Sequence, residues 1–264
     1  MITRASIALF AFAVCLGAMA LVHLEKPDVR IEPPLASFTT SLTHRTASQR
    51  HNALLACRAL NNARVLPGRT FSFNQRVGNW TAAAGYRKAP VSYEGVLVRA
   101  IGGGVCQVST TLYNAALMAG LPIVERHRHA VAPTYIAPGR DAAVAFDTLD
   151  LKFRNPSTRP ITITAHVTDN RLTVSLTGGV RSNGEFAIVT RVIERERPRS
   201  VIVQSPSVRR PSQSQAAARP GYRVVTYRAL SINGREVQRE RISDDSYRTV
   251  HRVWFVSEGP MGTH

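Results

Sequence analysis

Residues 101–126, IGGGVCQVSTTLYNAALMAGLPIVER, place three consecutive glycines just before a valine and a cysteine, and an apolar stretch directly after them. Apolar side chains then recur at helical spacing, which predicts a helix over 106–119. Gly120 is expected to end this helix, and Pro122 to prevent it from continuing. The stretch therefore predicts a sharp glycine turn that leads into a helix with Cys106 at its N-terminus.

Cys106 has two interpretations. Glycines permit positive φ, so the chain can turn sharply and expose the residue that follows. A helix N-terminus offers unpaired N–H groups and a partial positive charge, which lower the pKa of a thiol. Cys106 would then be a nucleophile, with the oxyanion bound by the helix N-terminus and by Gln107. In the alternative, the glycines only form a tight turn, and Cys106 is a small apolar side chain packed beneath it.

A nucleophilic thiol needs a base, and the base needs a group that orients it. Residues 125–150, ERHRHAVAPTYIAPGRDAAVAFDTLD, supply His129 on a strand-like segment. Asp141, Asp147 and Asp150 follow, and the spacing leaves the choice among them open. We expect His129 to carry the proton and Asp141 to orient the imidazole. In the alternative, His129 is a surface or hydrogen-bonded residue without a chemical role.

Several residues are candidates for contact with a substrate. The flat apolar face of Trp80 suits a sugar ring, and the forked guanidinium groups of Arg126 and Arg140 suit a carboxylate or phosphate. Ser109, on the cysteine helix, is a further candidate. Core packing of the aromatic ring and solvated surface charge are the alternatives. No third ligand accompanies the two histidines at metal spacing, so neither a metal nor a cofactor is expected.

Within the N-terminal residues 1–24, an apolar run from Ala5 to Leu24 follows Arg4. They are either a signal peptide cleaved near Ala18-Met19-Ala20 or an uncleaved membrane anchor, since the run reaches the roughly 20 residues that span a bilayer. Either alternative places the rest of the chain outside the cytoplasm, secreted, periplasmic or anchored. The formal charge of +17 favours anionic partners. In that location we expect anionic cell-wall polymer or peptidoglycan rather than nucleic acid, with membrane contact through the N-terminal segment.

Beyond Cys15 in the apolar run, the chain has two cysteines, Cys57 and Cys106. A disulfide between them is one alternative in an oxidising compartment. The other is a free Cys57 on the buried face of a helix predicted over 48–62, where a thiol is a common apolar filler.

The element pattern predicts an α+β fold, with two helices early and antiparallel strands later. Hairpins are expected around Glu94-Gly95 and around Asn233-Gly234, the second being the strongest turn signal in the chain. Short strands are expected at 132–136 and 142–146, and a last strand within 249–259 is expected to pair beside the second hairpin. Ser48 is the expected N-cap of the first helix. The expected organisation is a signal peptide or anchor (1–24), a spacer (25–43), a main domain (44–178), a strand and linker (179–219) and a β unit (220–260).

Four stretches resemble the VanW family over about residues 36–165. They are PGRTFSFNQRVGNWTAAAGYRKAPV (67–91), GGGVCQVSTTLYNAALMAGLPIVERHRH (102–129), YIAPGRDAAV (135–144) and DLKFRN (150–155). The family is named from an accessory protein of a vancomycin-resistance cluster and occurs in bacterial envelopes, so the resemblance implies a location rather than a mechanism. One departure is His129-Ala130, where the family usually has His-Ser. Residues 219–259 resemble the G5-like β module, which implies binding of wall or amino-sugar polymers.

The stretch CQVSTTLYNAALMAGLPIV (106–124) also resembles the cysteine helix of transglutaminase-like domains. The order Cys, His, Asp is that of transglutaminase-like and papain-like thiol enzymes. This resemblance implies a core in which the cysteine helix packs on an antiparallel sheet, followed by a mainly β C-terminal part. It also implies a thiol hydrolase or transpeptidase-like enzyme that acts on amides of peptidoglycan or its precursors. The alternative is a non-catalytic module that binds wall polymer, or an envelope scaffold. The sequence does not indicate the oligomeric state.

Overall fold

The computed structural model describes residues 34–93, 96–207, 210–213 and 217–257. The expected signal peptide or anchor, with Cys15, lies outside the described residues, as do residues 25–33 of the expected spacer. Within the described part, no helix combines the length and the apolar character needed to cross a membrane. In chain order the elements are β1 (Ala36–Ser41), α1 (Ala47–Leu60), β2 (Ala63–Val65), β3 (Thr70–Ser72), α2 (Phe73–Val77), β4 (Lys88–Tyr93), β5 (Val96–Ile101), α3 (Val105–Met118), β6 (Ile123–Glu125), β7 (Lys152–Arg154), β8 (Ile161–Thr168), β9 (Arg171–Gly178), β10 (Glu185–Glu196), β11 (Ser200–Gln204), β12 (Ser212–Gln213), β13 (Gly221–Ile232), β14 (Arg235–Tyr247) and β15 (Arg252–Val256).

The main core lies between one antiparallel sheet and the two long helices. The sheet has the strand order β1-β9-β8-β2. Apolar side chains alternate along β8 and β9, and Ile163 and Val174 on the inner face are fully buried. This alternation is typical of strands with one face on a core and one toward solvent. Helices α1 and α3 contact this sheet, and nearly every residue of α3 is buried.

The predicted α+β core of the transglutaminase or papain type is wrong. Strands account for 46% of the described residues and helices for 15%. The strands form five separate sheets of two to four strands each within the described ranges. A glycine turn that opens a cysteine helix is a local feature, and it is compatible with many sheet topologies, so the local likeness did not determine the fold.

The two long helices lie where the sequence predicts them. They span residues 47–60 and 105–118, against expected ranges of 48–62 and 106–119. The N-cap of α1 is Thr46, which forms a capping box with Gln49. Sequence reasoning chose Ser48 instead, although the Thr-x-x-Gln spacing is the known signal for such a box.

The C-terminal part contains two three-stranded sheets. The hairpin expected around Asn233-Gly234 is confirmed: it joins β13 to β14, and both turn residues have positive φ. Strand β10 adds to the same sheet along β13, so part of the stretch 179–219 is a long paired strand. The last strand, β15, was expected beside the hairpin but pairs with β11 and β12.

The segment between β6 and β7 is largely irregular. Short strands were expected at 132–136 and 142–146, but only isolated bridges form there, such as His127 with Ala143. His129 therefore lies on a loop rather than on a strand. This loop passes over the N-terminus of α3 and brings its side chains to Cys106.

Candidate functional site

The glycine turn places Cys106 as the second residue of α3. Gly104 is the N-cap, with φ at 112°. An added Cβ at Gly104 would collide with the backbone carbonyl of Gln49, so only glycine fits this position. The turn closes through hydrogen bonds from the N–H of Val105 to the carbonyl of Gly102 and from the N–H of Gln107 to that of Gly104, both 3.1 Å. The sulfur is thereby held at the positive end of the helix dipole.

The side chains of Cys106, His129 and Asp141 lie together at this helix end. The thiol of Cys106 donates to the carbonyl of Val144 at 3.3 Å and lies beside the imidazole of His129, and these two groups shift each other's pKa. Nδ1 of His129 lies 2.6 Å from Oδ2 of Asp141, and the backbone N–H of His129 donates to the same oxygen at 2.7 Å. Asp141 is fully buried, whereas Cys106 is half-buried. The arrangement is that of a nucleophile, a base and an orienting carboxylate.

The hydrogen bonds shift all three pKa values toward charged forms. Burial raises the pKa of the Cys106 thiol, but the hydrogen bond and charge of His129 outweigh it and hold the pKa below its ordinary value. Burial lowers the pKa of His129, but the hydrogen bonds of Asp141 and Cys106 raise it to about 10. Burial raises the pKa of Asp141, but His129 and Arg126 lower it to about 2. The shifts therefore favour a thiolate beside an imidazolium over a neutral pair.

A second set of contacts, from Arg126 and Tyr247, holds the carboxylate of Asp141 in place. Nη2 of Arg126 lies 3.1 Å from Oδ1 of Asp141, and Nε donates to the Asp141 carbonyl at 2.7 Å. The hydroxyl of Tyr247, on β14, donates to Oδ1 at 2.5 Å. Nη1 of Arg126 donates to both carboxylate oxygens of Asp245, also on β14, at 2.6 and 2.8 Å. The C-terminal hairpin thus contributes directly to the support of Asp141.

Cys106 opens into a cavity of about 130 Å³. The polar part of its wall comprises Arg45, Gln49, Cys106, Gln107, His129, Tyr135 and Arg219. The apolar part comprises Pro90, Val91, Val131 and Pro133. A mostly apolar cavity with a few convergent polar groups and shifted pKa values is the usual form of a binding or active site.

Two predicted residues of α3 have other partners. The amide of Gln107 donates to Oγ1 of Thr40 at 3.1 Å and to the carbonyl of Ser41 at 2.8 Å, while its oxygen accepts from Nε of Arg45. Its donors therefore tie α3 to β1 instead of facing an oxyanion. Ser109 is fully buried and lies 2.6 Å from the carbonyl of Ala142.

The remaining predicted contacts lie behind the cavity wall. Arg126 is paired with the carboxylates of Asp141 and Asp245. Nε of Arg140 donates to Oδ1 of Asn114 at 2.7 Å, and its guanidinium lies over Phe38. Trp80 packs against Gly102 and meets Phe146 edge-on, at 6.1 Å between ring centroids. We therefore place none of these three in direct contact with a ligand.

The structure also shows that the three aspartates have different partners. Asp150 accepts from the hydroxyl of Ser72 at 2.5 Å and from the N–H of Asn74 at 2.9 Å, which orders a turn away from His129. Asp147 occupies a turn with φ at 66°. Asp141 is the one of the three that contacts His129.

Cys57 and Cys106 are both free thiols. Cys57 is buried on α1, and burial raises its pKa to about 12. The disulfide alternative is therefore not realised, and Cys106 is the more acidic of the two thiols.

Sequence reasoning missed Arg45, Tyr135, Arg219 and Tyr247. The hydroxyl of Tyr135 donates to the Cys106 carbonyl at 3.3 Å. Arg45 precedes α1 and Arg219 precedes β13, so both are far from Cys106 in the chain. No spacing signal marks such residues, because the contacts arise from tertiary packing.

Parts of this chain are similar in sequence or in structure to known proteins. A family model described as VanW-like protein matches residues 48–177. The uncharacterized protein YoaR of Bacillus subtilis is 44% identical over 131 residues, which are 50% of this chain and 43% of that protein. The vancomycin B-type resistance protein VanW of Enterococcus faecalis is 34% identical over 110 residues, 39% of this chain and 40% of that protein. The match thus covers less than half the length of either curated relative.

Two solved structures are similar to part of the chain. The G5 domain structure of an IgA1 protease matches 30% of this chain and 98% of its own, with 20% identity and a TM-score of 0.21. The crystal structure of HP0197-G5 matches 27% of this chain and 96% of its own, with 16% identity and a TM-score of 0.16. The sequence relatives carry the assignment: residues 48–177 of this chain are a domain of the VanW family.

Proposed function

We propose that this chain is a cell-envelope protein whose VanW-like domain uses Cys106 as the nucleophile of an acyl transfer. The substrate is an amide of peptidoglycan or of a peptidoglycan precursor. The observation that carries the proposal is Cys106 beside His129, which is hydrogen-bonded to the buried Asp141, with the sulfur at the wall of a cavity. The envelope location is supported by the domain of the VanW family and by the relative named as a vancomycin resistance protein.

The reaction follows from the charges of the pair. The thiolate of Cys106 attacks the amide carbonyl, and a bond forms between sulfur and carbon. The N–H groups at the N-terminus of α3 stabilise the resulting oxyanion. The imidazolium of His129 gives its proton to the leaving nitrogen, so that the carbon–nitrogen bond breaks and a thioester remains. Water or an amine then attacks the thioester, His129 takes the proton, and the thiolate is regenerated.

Asp141 has a positioning role in this scheme. Its carboxylate holds Nδ1 of His129, which turns the other ring nitrogen toward sulfur. Arg126 and Tyr247 hold the carboxylate in turn. A buried carboxylate that is paired in this way keeps its charge, and so keeps the imidazolium stable.

A second candidate function is binding of an anionic wall polymer without chemistry. The net charge of +17 supports it. Neither curated relative is named as an enzyme, so the comparisons support envelope association and binding more than catalysis. The catalytic proposal is supported by the geometry of the site alone.

The test is detection of the thioester. The purified protein is incubated with solubilised peptidoglycan peptides, and intact-protein mass spectrometry follows an acyl adduct that hydroxylamine removes. We expect the adduct on the native protein and on Cys57→Ala, and none on Cys106→Ala. If the native protein forms neither adduct nor product while Cys106→Ala still binds wall polymer, the binding function replaces the catalytic one.

A further inference from the structure

Arg45 and Arg219 both line the cavity that contains the Cys106 sulfur. Arg45 lies in the turn between β1 and α1, and Arg219 lies just before β13. Both side chains are half-buried. Within the described ranges, neither guanidinium forms an ion pair with a carboxylate. The partly buried positive charges of Arg45 and Arg219 thus line the same cavity, and neither has a counter-ion among the described residues.

Each arginine is nevertheless fixed in place. Nε of Arg45 donates to Oε1 of Gln107 at 2.8 Å, and its guanidinium carbon lies 4.7 Å from the ring centroid of Tyr135. Nη1 of Arg219 donates to the carbonyl of Ala132 at 3.3 Å. The backbone of Arg219 also exchanges two hydrogen bonds with Val250, at 2.8 and 2.9 Å. Arginines held by such contacts lose little side-chain freedom when a ligand binds.

Two other buried arginines are neutralised by carboxylates: Arg126 contacts Asp141 and Asp245, and Arg228 contacts Glu240 at 2.7 Å. Arg140 also lacks a carboxylate partner in the described part of the chain, but it lies behind the cavity wall. At Arg45, burial lowers the pKa and the charge of Arg219 lowers it further. The two cavity arginines therefore repel one another, and an anion between them would remove this repulsion.

We propose that Arg45 and Arg219 bind the free carboxylate of a peptide substrate and so place its acyl group at Cys106. This inference rests on the proposed function, since it names the substrate class of the same site. Planar guanidinium groups match a carboxylate through paired hydrogen bonds. The apolar wall formed by Pro90, Val131 and Pro133 suits the body of a small peptide. A phosphate of a wall polymer has similar chemistry, and the experiment separates the two.

The test compares an anionic with a neutral alkylating agent. Iodoacetate carries a carboxylate and iodoacetamide does not, while both require the thiolate, so the ratio of their rates cancels the thiolate fraction. We expect this ratio for Cys106 to exceed that of N-acetylcysteine at the same pH by about tenfold or more, because two cationic groups attract the anionic reagent. An equal ratio overturns the carboxylate site, even if Cys106 reacts rapidly with both reagents. Slow reaction with both, as from an ordinary thiol, would instead count against the proposed function.

Single charge removals identify the residues. Arg45→Gln and Arg219→Gln are each expected to lower the rate ratio by about fivefold, and Arg45→Lys to retain most of it. Arg58→Gln is the matched control, since Arg58 is exposed and lies nine residues beyond Gln49 on α1, roughly 13 Å along the helix. Unchanged ratios in both cavity variants, or an equal fall in Arg58→Gln, overturn the assignment.

Competition then identifies the anion. An N-acetylated alanine dipeptide with a free carboxylate is compared with its C-terminal amide and with inorganic phosphate, at constant ionic strength. We expect the free acid to slow the reaction of iodoacetate with Cys106 more than either competitor. Slowing by phosphate that equals or exceeds that of the acid assigns the site to phosphate and overturns the peptide proposal, as does equal slowing by acid and amide.

Discussion

The pairing of Cys106 with His129 should be visible in how the thiol reacts with pH. The imidazolium lowers the pKa of Cys106, so the thiolate persists at pH values where an ordinary thiol is protonated. We expect the rate of iodoacetamide alkylation to reach its half-maximum well below pH 9, the ordinary value for this thiol. His129→Ala should raise this midpoint and lower the rate at about pH 6 by at least about tenfold, since one pKa unit is a factor of ten.

Two controls belong to this measurement. His127→Ala removes a nearby histidine whose Nε2 contacts Glu125 instead of the sulfur, and it should leave the profile unchanged. Cys57 should contribute no labelling at these pH values, because burial raises its pKa to about 12. Identical midpoints in the native protein and His129→Ala would show that the imidazole does not control the sulfur.

At the residue scale, the sequence was most informative where chemistry is local. The glycines before Cys106 and the order Cys, His, Asp led to the three side chains that the structure brings together. The partners of Gln107, Arg126 and Arg140 were not predictable. A guanidinium or amide bonds to whichever polar group the fold brings near it, and for Arg126 that includes Asp245, 119 positions away.

At the scale of an element, the start of α3 can be tested through its glycines. Gly104→Ala introduces a Cβ both at a positive φ and against the Gln49 carbonyl. Gly68→Ala introduces one at a φ of 69° with open space around it. The left-handed conformation alone costs roughly 1 kcal/mol, so we expect that loss for Gly68→Ala and at least twice as much for Gly104→Ala.

Urea unfolding followed by circular dichroism measures both losses. Gly104→Ala should also slow alkylation of Cys106, because any relief of the collision moves the helix end that carries the sulfur. Equal losses in the two variants would mean that α3 and α1 do not meet closely at this turn.

Elements differ in how far the sequence could predict them. The helices and the turn at Asn233-Gly234 follow from local periodicity and from turn residues that accept positive φ. The strands that pair with β15 could not be predicted from local sequence, because strand pairing depends on contacts between distant segments. The segments at 132–136 and 142–146 have strand-like composition, yet they form a loop whose polar groups are hydrogen-bonded to α3.

At the scale of the whole molecule, the charged pair should shape the pH dependence of stability. The pKa of His129 is raised from 6.5 to about 10, so its contribution is complete below 6.5 and is lost as pH rises through 10. The pKa of Cys106 is lowered from 9.0, so its contribution is complete above 9.0 and is lost as pH falls through its folded value. Between 6.5 and 9.0 the two changes oppose each other.

The native protein should therefore lose the contribution of this pair chiefly above pH 9, whereas Cys106→Ser should begin to lose that of His129 above about pH 6.5. The measurement is the difference in free energy of unfolding between the two proteins from about pH 6 to pH 10, in which the remaining titrating groups cancel. A difference in free energy of unfolding that does not change over this pH range would contradict the coupling between Cys106 and His129.

Asp245 contacts Arg126 and Tyr247 contacts Asp141, and these contacts determine where the chain can be cut for experiments. The family match ends at residue 177, but β14 lies well beyond it and covers a buried carboxylate and its arginine. Phe186, on β10, packs against Gly120 in the same way. An expression fragment that ends at residue 177 would expose Asp141 and Arg126 to water and leave Arg126 with Asp141 as its one counter-ion. The C-terminal sheet therefore has to be kept together with the family domain in any fragment made to study this site.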